Sequence, residues 1–388
     1  MKVAIVHDWL TGMRGGEFGL EVFCDLFPQA DLFTRIHWKG SVSSRIESLP
    51  IRTSFLQRIP GAKKRYRWFL PLMPAAIERF DLTPYDLVLT SSHCVAKGAI
   101  TRPEALHVCY CYSPMRYAWE SHHRYFGDDR LGFWARWGLP PFFTYLRMWD
   151  VTSANRVDRF IAVSEAVRSR IRKYYGRDSA VIHCPVDTGR FRASGGGDYY
   201  LVVSAFASYK RIDLAIEAAG RLGRPLKVVG AGQDERRLRK LAASVPGARI
   251  EFLGWKTGRD LVELYEGCRA FLFPGEEDFG IAPVEAMAAG RPVIALAKGG
   301  ALETVVGPED PGGRPPTGLF FTEETAECLA EAIETFEALE GEFDPPALRA
   351  HALRFDTAVF RTAMEDFFRE AVPAFQGGLG GRLSRVAP

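Results

Sequence analysis

The sequence predicts an α/β protein built from two doubly wound, parallel-sheet domains. Three observations carry that prediction. At 388 residues the chain is too long for one ordinary core. Short β-rich apolar runs alternate with amphipathic helical patterns in both halves. The alternation also stops at the run Ser194-Gly195-Gly196-Gly197 and then restarts. In the front half, residues 2–6 read as a strand, 11–16 as a glycine-containing loop and 17–26 as a helix. Residues 85–89, 106–110 and 159–163 are further strands, and the helix over 164–175 starts at Ser164, a side chain suited to capping free amides. Beyond the glycine run, strands are expected at 200–204, 226–229, 249–253, 270–273 and 292–295, and helices at 211–222, 234–243 and 283–289. This gives a front domain over 1–193, a linker, and a second domain over 198–356, with a helix at about 357–376 returning to the front domain. In such sheets ligands bind at the carboxyl ends of the strands, so two of them facing across a cleft would suit the joining of two substrates.

Composition narrows the class. The chain is 47% apolar and 25% charged, as a folded soluble protein is. Its seven cysteines are scattered, which suits buried thiols in a reducing compartment. The start, MKVAIVHDWL, lacks the apolar core and cleavage site of a signal peptide, and no later stretch could span a bilayer, so a cytoplasmic location is expected. Net charge is only +3, yet residues 1–190 hold 27 Lys and Arg against 18 Asp and Glu, and the remainder 23 against 29. A basic front half implies an anionic partner for that half; charge alone leaves membrane surface, nucleic acid and phosphorylated substrate open.

The stretch richest in chemistry leaves a strand at Phe273-Pro274-Gly275 and runs through Glu277, Phe279-Gly280-Ile281-Ala282-Pro283 to Glu285. Gly280 permits close backbone approach, and Pro283 loses nothing in a first helical turn, where its N–H would have no partner. Amides near residues 279–282 then form an anion site at a helix N-terminus. Glu277 and Glu285 would stand at different depths of one pocket, one suited to a ribose diol and the other to a sugar. Two glutamates alone would read as an acidic loop and a favourable helix charge. Lys210, in Ser208-Tyr209-Lys210-Arg211, follows the first strand of the second domain, where a cation can stabilise negative charge as it develops on a phosphate. Gly230-Ala231-Gly232 is an incomplete dinucleotide fingerprint, since Glu235 replaces the third glycine; it reads as a tight turn.

These residues resemble the paired-glutamate signature of the retaining glycosyltransferases of family 4, which have the GT-B fold of two Rossmann-like domains. The resemblance extends through Gly299-Gly300 with Glu303 and through Thr317-Gly318-Leu319-Phe320, and covers essentially the whole chain. It implies that Glu277 contacts the transferred sugar and Glu285 the ribose hydroxyls. The backbone of Phe279, Gly280, Ile281 and Ala282 would cradle sugar and diphosphate, Lys210 would bind the phosphates, and Gly230 and Trp255 would lie beside the nucleotide. The family places an arginine near position 205, where this chain has Ala205; either Arg211 supplies the charge or the clamp has one cation fewer. In the front half, Gly15 and Gly16 match the family's glycine loop, and His93 stands where a sugar- or acceptor-contacting histidine is expected.

Cys109-Tyr110-Cys111-Tyr112-Ser113-Pro114-Met115-Arg116-Tyr117-Ala118-Trp119 resembles a segment of the O-antigen and exopolysaccharide mannosyltransferase branch, which has histidine where Tyr112 stands. Tyr112, Arg116, Tyr117 and Trp119 are acceptor-binding candidates, with aromatic core packing as the alternative. Residues 55–80 combine Lys63, Lys64, Arg65 and Arg67 with Trp68, Phe69, Leu70, Leu72 and Met73, a pattern suited to an anionic bilayer surface, extended by Phe133, Trp134, Trp137, Phe142 and Phe143; a core-packed helix with a basic face is the alternative. No Asp-x-Asp follows a strand, and Asp128-Asp129 suits a turn, so neither metal nor other cofactor is expected. The resemblance implies a nucleotide-sugar donor, GDP-mannose or alternatively a UDP-hexose, and a lipid-diphosphate-linked saccharide acceptor, with no nucleic acid. A degenerate sugar- or lipid-binding protein is the main rival. An epimerase would not need the basic front half, and an oxidoreductase would need the missing glycine.

Overall fold

The structure, a computed structural model, describes residues 1–62, 66–119, 133–193 and 195–383, without the side chains of Arg67, 133–138 and 377–383. The chain forms two compact units, Met1–Cys184 with the chain from Phe360 onward, and Pro185–Val359.

The first unit holds β1 (Val3–His7), α1 (Gly15–Leu26), β2 (Asp31–Thr34), β3 (Ile51–Thr53), β4 (Leu87–Ser92), β5 (Leu106–Cys111), α2 (Phe133–Ala154), β6 (Arg159–Ala162), α3 (Glu165–Tyr175) and β7 (Ser179–Val181). Its seven strands lie in the order β3-β2-β1-β4-β5-β6-β7, all parallel. Strands β1, β4 and β5 are buried along their whole length, which is why each carries a mainly apolar run, at 3–6, 87–89 and 108–111. Ser164 caps α3 by accepting from the Val167 amide at 3.1 Å. Strands β2, β3 and β7 escape the sequence reading because runs of three or four residues carry too little periodicity.

The second unit holds β8 (Tyr199–Val203), α4 (Ile212–Arg221), β9 (Pro225–Val229), α5 (Glu235–Ser244), β10 (Arg249–Gly254), α6 (Gly258–Glu266), β11 (Cys268–Phe273), α7 (Ile281–Ala288), β12 (Val293–Leu296), β13 (Gly318–Phe321), α8 (Ala326–Leu339) and α9 (Pro345–Ala352). Its sheet is β10-β9-β8-β11-β12-β13, again all parallel. The last helix, α10 (Thr357–Leu383), joins the first unit from Phe360. There Phe360 packs on Phe23 and Tyr110 (centroids 5.8 and 5.5 Å), Phe368 packs edge-on to Phe27 (5.1 Å), and Arg361 bonds Asp25 at 2.6 Å.

The position of the boundary corrects the linker expectation. The chain leaves the first unit after Cys184, before the glycine run, and Gly196 and Gly197 are packed. A Cβ on Gly197 would stand 2.2 Å from the Gly267 carbonyl oxygen, so that glycine serves contact against the start of β11. Val186 pairs with Asp356 in a parallel bridge, so the outgoing and returning strands of chain lie side by side.

Gly230 is the sharpest steric constraint in the second unit. It has φ of 140°, and an added Cβ would lie 1.8 Å from the Ser204 carbonyl oxygen. A Cβ on Gly232 would lie 2.3 Å from the Phe206 carbonyl oxygen, while Phe206 N–H donates to Ala231 O and Gly230 N–H to Gly254 O. The turn binds three strand ends together. Gly230→Ala is expected to destabilise by about 2–4 kcal/mol, through backbone strain and overpacking together. Gly223→Ala, at φ 62° with open space around it, should cost about 1–2 kcal/mol. Urea unfolding of the two variants checks the difference.

Candidate active site

In both sheets the strand order reverses once, between β1 and β4 and between β8 and β11. A crevice opens at the carboxyl end of such a switch point because the flanking connections depart in opposite directions. In each unit a group of candidate polar residues stands there.

In the second unit, β8 leads to Lys210 and β11 leads to Glu277, and the two side chains form an ion pair. Glycines permit the approach. A Cβ on Gly275 would meet the Lys210 backbone, its oxygen at 2.7 Å. Gly299 (φ 60°) would meet the Glu277 oxygen at 2.3 Å, and Gly300 the Phe279 Cα at 2.4 Å. The Gly300 amide donates to Glu277 O at 2.8 Å, and residues 277 and 299 form a parallel bridge. The loops after β8, β11 and β12 thus interlock around Glu277.

Gly280 takes φ 92° to cap α7, and Ile281 and Ala282 occupy the first turn, where amides lack helical acceptors. Phe279 turns its ring inward, buried against Phe355 (5.6 Å). Glu285, one turn further along, is buried and accepts from the Tyr265 hydroxyl at 2.9 Å, with Arg190 at 3.9 Å. Burial pushes its carboxyl up to about 7 against the opposing effects of Tyr265 and Arg190. Glu277 and Glu285 therefore differ in environment, one paired with Lys210 and the other enclosed. Trp255 follows β10 with 60% of its surface exposed.

Arg211 has an unusual backbone conformation. It is in the left-handed region at φ 52°, the only non-glycine there among the described residues. Its guanidinium bonds Glu324 (2.8 Å) and Asp213 (3.4 Å), and Glu324 also receives Lys298 at 3.0 Å. These carboxylates hold Arg211 as Glu277 holds Lys210.

In the first unit the switch point centres on Asp8, which sequence reasoning missed. Its buried carboxylate accepts the amides of His93, Cys94, Val95 and Ala96 at 2.8–3.0 Å and the Arg35 guanidinium at 3.1 Å. His93 directly follows β4, about a third exposed, with Nδ1 3.4 Å from Asp8 and its ring edge-on to Trp9 at 4.4 Å. His7 bonds Ser91 (2.9 Å), and Glu17 lies 3.6 Å from its Nε2. A polar pair, His7-Asp8, at the end of a buried strand was the available signal. Burial raises the Asp8 carboxyl, but His93, Arg35 and the His93 amide outweigh it and hold it below the usual range.

Gly15 and Gly16 stand in the first turn of α1, which begins two residues earlier than expected; Tyr112 donates its hydroxyl to Gly16 O at 2.8 Å. A side chain at Gly16 would reach the Tyr112 ring at 3.6 Å. The other aromatic candidates have partners within the first unit. Tyr117 packs on the core with its hydroxyl 2.7 Å from Cys94 Sγ. Trp119 donates to Asp150 at 2.8 Å and stacks on Tyr174 at 4.5 Å. The same Asp150 neutralises buried Lys97 at 2.7 Å, so this segment is anchored by a buried ion pair. Arg116 opens the short helix Arg116–Trp119 and is half-buried. Phe143 is core, while Lys63, Lys64, Arg65, Asp128, Asp129 and the side chains of Arg67, Phe133, Trp134 and Trp137 lie outside the described residues.

Two all-parallel doubly wound units, each with a group of candidate polar residues at a strand-order reversal, define a two-domain α/β protein of the GT-B type. The sequence profile described as "Glycosyl transferases group 1" matches residues 189–350, and that described as "Glycosyltransferase Family 4" matches residues 26–190. The chain belongs to this glycosyltransferase family. It is 31% identical over 117 residues to O-antigen chain mannosyltransferase C of Escherichia coli (29% of this chain, 32% of the relative). It is 33% identical over 123 residues to a GDP-mannose-dependent monoacylated alpha-(1-6)-phosphatidylinositol monomannoside mannosyltransferase of Corynebacterium glutamicum (30% of each). The matches span at most 43% of the length of these and the other first curated relatives. The crystal structure of Anabaena HepE in complex with UDP has the same fold, with a TM-score of 0.70, 18% identity, and coverage of 95% of this chain and 100% of that one.

Asp8→Ala strands four amides and Arg35 without their acceptor, and should destabilise by about 3–5 kcal/mol. Because the native carboxyl is held low, its contribution is complete above the unfolded value of about 3.9 and is lost as pH falls through the native value. The stability gap between wild type and Asp8→Ala, measured by urea unfolding, should be widest at neutral pH and shrink on acidification below about pH 4.

Proposed function

We propose that the chain is a glycosyltransferase that moves a hexose from a nucleotide-sugar donor held by the second unit to an acceptor bound by the first. The observation that carries this reading is the junction of Lys210, Glu277 and the first turn of α7 at the β8/β11 switch point. Lys210 and the amides of Ile281 and Ala282 supply positive charge for a departing diphosphate without a metal ion. When a donor enters, its phosphates compete for Lys210 and release Glu277 to meet a sugar hydroxyl. Glu285 takes the ribose diol. In the first unit, His93, held by Asp8, is the group offered to sugar or acceptor. A retaining outcome is taken from the family resemblance.

Mannose from GDP-mannose is the favoured donor, supported by the two mannosyltransferases to which the chain is similar. A UDP-hexose is the second reading, supported by the UDP complex of HepE. A lipid-diphosphate-linked saccharide at an anionic membrane surface is the proposed acceptor, in surface polysaccharide assembly. Trp68 (82% exposed) and Leu72 (43%) in the first unit, with Tyr145 (53%) and Met148 (65%) on α2, support membrane docking. Their segments share one core through Tyr66, Met73, Phe143 and Leu146, whereas no helix among the described residues is long and apolar enough to cross a membrane.

A thermal-shift screen over GDP-mannose, GDP, UDP-glucose, UDP-galactose and UDP tests the donor. The true donor at a hundred times its dissociation constant should add about 2.7 kcal/mol of stability. With that donor and a lipid-linked acceptor, Glu277→Gln and Lys210→Ala should each lower kcat about 10²–10³-fold. Wild-type turnover by Glu277→Gln would overturn the reading.

A further inference from the structure

Glu285 is held in a way that the glycosyltransferase reading does not require. It stands on α7, 9% exposed, and receives the hydroxyl of Tyr265 on Oε2 at 2.9 Å. Tyr265 comes from α6, an element the β8/β11 junction does not otherwise use. It is fully enclosed, its ring edge-on to Phe191 (5.6 Å) and tilted against Phe271 (5.7 Å). Two aromatic walls therefore fix the direction in which its hydroxyl points. Burial, then Glu285 itself, raise the Tyr265 hydroxyl well above its ordinary range, so it stays a donor at every working pH.

We infer that Tyr265 is a positioning residue for the nucleotide's ribose, pinning Oε2 of Glu285 so that Oε1 is presented to the diol. The inference rests on the reading of Glu285 as the ribose ligand and adds what orients it. Arg190, on the Oε1 side at 3.9 Å, is beyond hydrogen-bond distance, so Oε1 keeps its acceptor capacity while its charge is balanced. A glutamate with both oxygens untied would sweep several rotamers, and ordering it would oppose ligand binding. With Oε2 fixed, that ordering is complete before the nucleotide arrives.

The charged groups around Glu285 are few. Tyr265 faces it from α6, and Arg190 and Asp187 from the segment that enters the second unit. Arg349 of α9 is turned to the carbonyls of Thr188, Phe191 and Ala288, His351 to that of Thr304, and Arg291 to that of Ala289. Burial leaves the Glu285 carboxyl at about 7, so affinity for a ribose diol should rise with pH through that value as the carboxylate forms. The Tyr265 hydroxyl favours the carboxylate; removing it should move the midpoint of that rise upward.

The test is calorimetric titration of the full chain with UDP and with GDP, and with the 2′,3′-dideoxy form of each. Proteins are wild type, Tyr265→Phe and Glu285→Gln, titrated from pH 5.5 to 8.5, with thermal melting of each as the check on folding. In Tyr265→Phe we expect about ten-fold weaker binding of the nucleotide that binds wild type. The preference for ribose over dideoxyribose should collapse toward unity, and the pH midpoint should rise. A filler of the core alone would lower the melting temperature and leave the ribose preference and pH midpoint at wild-type values; that result overturns the inference. Glu285→Gln binding as wild type, or no binding of either nucleotide to wild type, overturns the ribose reading itself. Loss of ribose preference in Glu285→Gln but not in Tyr265→Phe keeps that reading and removes only Tyr265.

Discussion

Lys210 and Glu277 can meet only because no side chain stands between the loops that carry them. Lys210 follows β8 and Glu277 follows β11, and the closeness of their backbones is set by Gly275 against Lys210 and by Gly299 and Gly300 against Glu277 and Phe279. A single methyl group at any of the three would come within about 2.3–2.7 Å of a backbone atom. The opposite charges hold the side chains together, but sterics decide whether they can approach at all. Two neighbouring features are set beside that junction. The loop after β12 is drawn to Glu277 by the Gly300 amide, and the start of α7 is placed beside it by the left-handed Gly280.

The first unit reaches a similar result by electrostatics. Asp8 accepts four consecutive amides, which folds the chain after β4 into a tight arc around one carboxylate. A buried charge is tolerable only when so fully compensated, and here Arg35 and the amides supply the compensation. His93 is the first residue of that arc, so its location is set by an acid 85 positions earlier.

Much of this was legible because buried parallel strands carry short, dense apolar runs. The run at 270–273 stands inside β11, that at 292–295 begins one residue before β12, and the Gly-Ile-x-Pro sequence marks the start of α7. The residues around Glu277 could be read because they are contiguous in sequence. Asp8, Tyr265, Arg190 and Glu324 could not, since each acts through a partner between 20 and 113 residues away that only the folded chain supplies. The partners of the aromatics at 117 and 119 were not legible for a related reason. Composition cannot distinguish an exposed ring from one whose polar atom is bonded to Cys94 or Asp150. The glycine run at 195–197 looked like a tether, yet Gly197 is needed for contact with Gly267.

The second unit is an insertion within the first, entered after Cys184 and left before Phe360. On the ribosome, the seven-stranded sheet is complete long before α10 is made. Until residues beyond 360 emerge, Phe23, Phe27 and Tyr110 lack the aromatic cover of Phe360 and Phe368. The first unit to begin synthesis is therefore the last to be sealed, and the second can complete its own sheet while the first still waits for its closing helix.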